Sequence, residues 1–191
     1  GALEITTTGT TTGTSSNGIY ANNSATGTSL KITAEATTGT LGIYAVNGGT
    51  GALEITTTGT TIGTSSDGIY AYNSAAGTSL TINAATTTNA ATTTGATDGI
   101  VAFNNGTGAL EITTTGKTTG GDDGIQAFII YTASTGDLTI NAATTTGGVY
   151  GIQGYNKGTG ALHITTSGAI TGGTGYGIHT QTAAGKTTNI T

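Results

Sequence analysis

Apolar residues along this 191-residue chain fall into two short patterns that alternate from one end to the other. The first is Leu-x-Ile, at Leu3–Ile5, Leu30–Ile32, Leu53–Ile55, Leu80–Ile82, Leu110–Ile112, Leu138–Ile140 and Leu162–Ile164, with a degenerate eighth copy ending at Ile190. The second is Gly-Ile-x-small, at Gly18–Ala21, Gly42–Ala45, Gly68–Ala71, Gly99–Ala102, Gly124–Ala127, Gly151–Gly154 and Gly177–Thr180. Period two inside each motif predicts a strand with one buried face. Leu and Ile point inward in the first strand, Ile and the small residue in the second.

Each motif returns after 23–31 residues, and residues 51–80 repeat residues 1–30 with four changes: Thr12/Ile62, Asn17/Asp67, Asn22/Tyr72 and Thr26/Ala76. A fixed period of this length marks a solenoid, in which one repeat is one coil. A single coil holds too few aliphatics to offset the entropy of ordering its backbone, so coils must stack. Stacking predicts two interior columns: Leu3, Leu30, Leu53, Leu80, Leu110, Leu138 and Leu162, and Ile19, Ile43, Ile69, Ile100, Ile125, Ile152 and Ile178. The Thr-Gly stretches between them, sometimes with one apolar residue (Ile62, Ile170), read as a third, more polar strand and its turns. Connected parallel strands favour a right-handed crossover. The expected fold is all-β: a right-handed parallel β-helix, or β-solenoid, of about seven coils of roughly 25 residues, one segment over 1–191 lacking evident caps.

Turn chemistry agrees. Asn follows the second strand at Asn23, Asn47, Asn73, Asn104 and Asn156, where equivalent side chains can hydrogen-bond along the axis as a ladder. Glycine before each inward Ile implies either positive φ or close approach of two backbones.

Composition narrows the function. About a quarter of the chain is Thr, which suits strands. Four cationic side chains, all Lys, and a net charge of −5 argue against nucleic-acid binding. No apolar run reaches the ~20 residues of a spanning helix, so no direct membrane insertion by this segment is expected. There is no Cys, which either redox compartment allows.

Outward positions carry the remaining candidates. Between Leu and Ile stand Glu4, Lys31, Glu54, Thr81, Glu111, Thr139 and His163, an order that avoids adjacent like charges. Before the Asn turn stand Asn22, Val46, Tyr72, Phe103, Phe128, Tyr155 and Gln181. The run Tyr72, Phe103, Phe128, Tyr155 is a candidate contact stripe as well as a stacking column. A second column runs Tyr20, Tyr44, Tyr70, Val101, Gln126, Gln153, His179. The tandem repeat Asn83–Thr94 should protrude as a loop. Asp122 and Asp123 are candidates for a cation, but the nine-residue Gly-Gly-x-Gly-x-Asp repeat of a calcium β-roll is missing and Asp-Gly turn chemistry accounts for them, so no metal is assigned. Acids are scattered and neither His163 nor His179 has an evident Ser or acid partner, so no catalytic or cofactor-binding residue is assigned and an enzyme is not expected.

The recurring Gly-Ile-Tyr-Ala-x-Asn followed by Gly-Thr-Gly-Ala-Leu-x-Ile-Thr-Thr resembles the repeat of passenger domains of Gram-negative autotransporter adhesins. That resemblance implies a right-handed β-helix carried to the cell surface by an outer-membrane barrel. The function expected is a non-enzymatic extracellular rod for cell-surface or cell–cell adhesion. Its partners would be a host or bacterial surface protein or glycan. The alternative is a fibre subunit that self-associates end to end, or laterally, through exposed sheet edges.

Overall fold

The computed structural model describes residues 1–89 and 97–191. Among them every regular element is a strand, and no helix is long and apolar enough to cross a membrane. The chain is a parallel β-solenoid of about 7 coils of ~26 residues.

The Leu-x-Ile strands Leu3–Thr12, Leu30–Gly39, Leu53–Gly63, Leu80–Asn89, Leu110–Thr114, Leu138–Ala142 and Leu162–Thr166 pair in parallel in coil order, and Thr188–Ile190 adds the degenerate eighth copy. Every predicted leucine lies opposite the next, from Leu3↔Leu30 to Leu138↔Leu162. The Gly-Ile strands Ile19–Asn23, Ile43–Asn47, Ile69–Asn73, Ile100–Asn104, Ile125–Ile129, Ile152–Asn156 and Ile178–Thr182 form a separate seven-stranded sheet in the same in-register way. Leucines from Leu30 to Leu162 and isoleucines from Ile43 to Ile152 are fully buried in one core. Leu3 and Ile178, each with a coil on one side only, are half-buried.

The third strand exists and is joined to the first in the early coils, where one strand runs past a register shift, as between Thr7 and Thr10. In later coils it separates as Thr118–Thr119, Thr145–Gly147 and Ile170–Gly172. Its inward column is Thr37, Thr61, Thr87, Thr118, Thr145 and finally Ile170. Ile62 sits beside that column on the outward side, half-buried. Within Asn83–Thr94, residues 83–89 continue the strand rather than leaving it as a loop; the rest of that repeat lies outside the described residues.

These threonines explain the glycine before each inward Ile. A Cβ on Gly124 would stand 2.5 Å from Thr145 Cγ2 and 2.6 Å from the Gly151 carbonyl oxygen. Gly18, Gly68 and Gly99 meet Thr37, Thr87 and Thr118 in the same way. Among the described glycines only Gly9 and Gly185 have positive φ, so close approach and not a left-handed turn selects glycine here.

The asparagines are inward-facing and buried, closing the Gly-Ile strand. Asn23 Nδ2 donates to Asn47 Oδ1 at 2.8 Å, Asn47 to Asn73 at 2.9 Å and Asn73 to Asn104 at 3.0 Å. The second amide hydrogen of each is spent locally, for example from Asn47 Nδ2 to the Gly51 carbonyl at 3.0 Å. Ile129 occupies the next rung, between Asn104 and Asn156, and interrupts the ladder. In that coil the buried Ser134 hydroxyl takes over the turn, donating to the Thr107 and Gly108 carbonyls and receiving the Gly136 N–H.

Candidate functional site

The outer face of the Gly-Ile sheet gathers the chemically distinctive side chains. Successive coils lie about 4.8 Å apart, a spacing at which aromatic rings on equivalent outward positions can stack face to face. Tyr20 and Tyr44 stack at 5.1 Å with 5° between planes, and Tyr44 and Tyr70 at 5.2 Å with 7°. From Tyr70 the ring chain crosses to the neighbouring column, meeting Phe103 at 6.3 Å. It continues through Phe128 at 5.2 Å and Tyr155 at 5.1 Å to His179 at 5.4 Å, whose Nδ1 is 3.1 Å from the Tyr155 hydroxyl. The result is one ring ladder along all seven coils.

The four stripe residues are register partners in one outward column, Tyr72↔Phe103, Phe103↔Phe128 and Phe128↔Tyr155. The last three share the ring ladder, while the Tyr72 hydroxyl accepts the Asn105 amide at 2.9 Å. Val101, one column over from Phe103, is too small to hold the Tyr70 ring in line, so the ring leans across. Phe128 is only 8% exposed and Val101 is buried beside it. Rings in the middle of the stripe contact one another, stacked at Phe103–Phe128 and tilted at Tyr70–Phe103 and Phe128–Tyr155, which leaves little ring face free. Large apolar exposure lies elsewhere: at Tyr20 (62%) and Tyr176 (64%), and at Ile130 and Tyr131 on the turn of the fifth coil.

Sequence reasoning missed a column just before each Gly-Ile, which runs Asn17, Leu41, Asp67, Asp98, Asp123, Tyr150, Tyr176. Its last two rings stack at 6.1 Å, and His179 packs on Tyr150 at 4.9 Å. Its three acids stack across coils. Asp67 Oδ1 accepts the Asp98 N–H at 2.9 Å, Asp98 Oδ1 the Asp123 N–H at 2.7 Å, and Asp123 Oδ1 the Tyr150 N–H at 3.0 Å. Gln126 Nε2 also donates to Asp123 Oδ2 at 2.9 Å. Each carboxylate thus satisfies a backbone donor of the next coil at the bend where regular pairing lapses.

That position raises the cost of charge. Burial pushes the Asp98 carboxyl up to about 7, against the lowering effect of the Asp123 N–H and with added repulsion from Asp67, Asp123 and Asp122. Asp67 and Asp123 are raised for the same leading reason. The faint signal in sequence is an Asp before Gly in three consecutive coils, a pair that turn preference alone also accounts for.

On the Leu-x-Ile sheet, Glu4, Lys31 and Glu54 lie opposite one another as expected, and His163 Nδ1 meets Asn189 Nδ2 at 3.3 Å. His163 and His179 stand on different sheets. Compared with family models, curated proteins and solved structures, the chain matches none.

Proposed function

We propose that this chain is a non-enzymatic rod segment of an extracellular surface protein, holding an adhesive contact between a cell and a host or bacterial surface protein or glycan. The observation that carries the reading is the unbroken register of seven coils, reinforced inside by asparagine amides and outside by stacked rings. Such a stack resists bending and suits a spacer held away from a surface. Seven coils at about 4.8 Å give a rod roughly 35 Å long. The likeness of its repeat to autotransporter passenger domains supports an outer-membrane-attached location. Contact would fall to the exposed Tyr20, Ile130–Tyr131 and Tyr176, because the central rings are occupied with one another.

The test is adhesion of beads coated with the purified chain to epithelial cells and to Gram-negative bacteria, beside beads carrying heat-unfolded chain. The reading expects saturable, fold-dependent attachment to at least one surface; equal attachment of folded and unfolded material would overturn it. A second reading, a fibre subunit, rests on the parallel in-register coils, whose sheets can be extended by pairing with another copy. Electron micrographs at rising concentration separate the two, with filaments favouring the fibre and discrete short rods the spacer.

A further inference from the structure

We propose that Asp98, Asp122 and Asp123, together with the Thr97 hydroxyl, form a binding site for a hard divalent cation of the calcium type. Thr97-Asp98 and Asp122-Asp123 are equivalent dipeptides of adjacent coils. The Asp122 N–H donates to the Thr97 carbonyl at 3.1 Å, and the Asp123 N–H to Asp98 Oδ1 at 2.7 Å. The solenoid therefore stacks Thr97 on Asp122 and Asp98 on Asp123, a two-by-two array of oxygen-bearing side chains. One carboxylate oxygen from each of the three acids lies within 4.8 Å of the others. Calcium holds oxygens at roughly 2.3–2.6 Å, so ligands across one ion stand up to about 5 Å apart.

A second observation points to a ligand independently of the acids. Thr97 is 9% exposed and its hydroxyl oxygen is buried without a hydrogen-bond partner. A buried hydroxyl left so is costly unless something else meets it. It belongs to no interior ladder: of the other unpartnered hydroxyls, Thr37, Thr61, Thr87 and Thr118 form the core column of the third strand, and Thr7 lies opposite Ala34 in the first strand. Thr97 lies beside Gly121, where a Cβ would be 3.3 Å from its hydroxyl, and the Asp122 N–H bonds the Thr97 carbonyl, so the two residues occupy equivalent positions of adjacent coils. A hydroxyl and three carboxylates are oxygen donors throughout, which selects a calcium-like ion over softer metals. Asp67, Asp122 and Asp123 all repel a charge on Asp98, so a cation among them would relieve that repulsion.

In sequence only the Asp122-Asp123 pair is visible, too few ligands by itself to mark a site. Asp98 comes from the preceding coil, and only stacking brings it to Asp122 and Asp123.

The test uses the whole chain at pH 8 and two probes, CaCl2 by calorimetry and Tb³⁺ by tyrosine-sensitised luminescence. The chain has eight Tyr and no Trp, and Tyr150, whose backbone N–H bonds Asp123, supplies a tyrosine in the adjoining coil. One ion per chain is expected. Asp122→Asn, at a half-buried carboxylate whose backbone bonds the change leaves intact, should weaken both signals by about tenfold or more, as loss of one charged ligand does. Thr97→Val should weaken binding while Thr97→Ser retains it. Absence of calcium heat and terbium emission from the folded wild type would overturn the proposal. So would binding undiminished in Asp122→Asn, which would mark adsorption at the outward glutamates instead. Circular dichroism of each variant guards against loss of fold, and Thr97→Ser keeps the hydroxyl should Thr97→Val disturb packing.

Discussion

Asp98 lies one coil before Asp123, and its Oδ1 accepts the Asp123 backbone N–H at 2.7 Å. A carboxylate is thereby fixed in the wall of the solenoid, over nine-tenths buried, among other carboxylates. The bond it makes needs only an acceptor oxygen, not a charge. In the first coil, which residues 51–80 nearly repeat, the same column holds Asn17 in place of Asp67, so the fold accepts an uncharged amide in this column.

The pH dependence follows. The Asp98 carboxyl titrates near 7 in the fold and near its ordinary 3.8 when unfolded. Between those values the folded chain holds a proton that the unfolded chain has released. Raising the pH then favours unfolding. In EDTA the melting temperature should fall as pH rises from about 4 to about 7 and level off above. Asp98→Asn should flatten that slope and raise the melting temperature at pH 8. A wild-type melting temperature that climbs through this window contradicts the assignment.

The asparagine ladder gives a sharper loss. Asn73→Ala removes a buried amide that both donates to Asn104 and accepts from Asn47. Two buried partners are stranded, at about 1–3 kcal/mol for each unsatisfied group. Asn22→Ala, on the outward side of the same strand, should change stability by less than about 0.5 kcal/mol. Urea unfolding of the two variants measures the difference.

Two glycines should respond oppositely to one methyl group. A Cβ on Gly124 collides with the Thr145 methyl and the Gly151 carbonyl, so Gly124→Ala should destabilise the chain. Gly154 fills a column occupied by Ala21, Ala45, Ala71, Ala102 and Ala127, and its Cβ would meet Ile140, Leu162 and Leu138 at 3.6–3.7 Å, ordinary contact. Gly154→Ala should stabilise by about 0.4–1 kcal/mol. Thermal melts of both variants decide it.

Leucines of one column differ by coil position. Leu53→Ala empties a fully buried site and should cost about 2–5 kcal/mol. Leu3→Ala, at a half-buried site with one neighbouring coil, should cost clearly less. Equal losses would contradict a single continuous core.

The interior was legible because its signal is periodic and local. Leu-x-Ile and Gly-Ile each declare their inward residues by alternation, and recurrence declares the stack. Ile129 escaped that logic: at a rung expected to be Asn, local sequence does not reveal that Ser134 five residues on supplies the turn's hydrogen bonds. The ring ladder was half legible. Alternation placed Tyr72, Phe103, Phe128 and Tyr155 in one column, but with Val101 rather than a ring opposite it, Tyr70 leans across to Phe103. The acid column was invisible for a different reason. Asp67, Asp98 and Asp123 each look like an ordinary turn residue, and their chemistry arises only from being stacked.

Stacking in register is tested most directly by distances between spin labels. The chain has no Cys, so single labels can be introduced cleanly at the outward Leu-x-Ile position. Labels at Glu4 and Glu111 span four coil steps and should lie roughly 19 Å apart; labels at Glu4 and His163 span six and should lie roughly 29 Å apart. Distances that grow by about 4.8 Å per coil are the predicted result. Distances that do not scale with coil number would contradict the solenoid and every inference drawn from its columns.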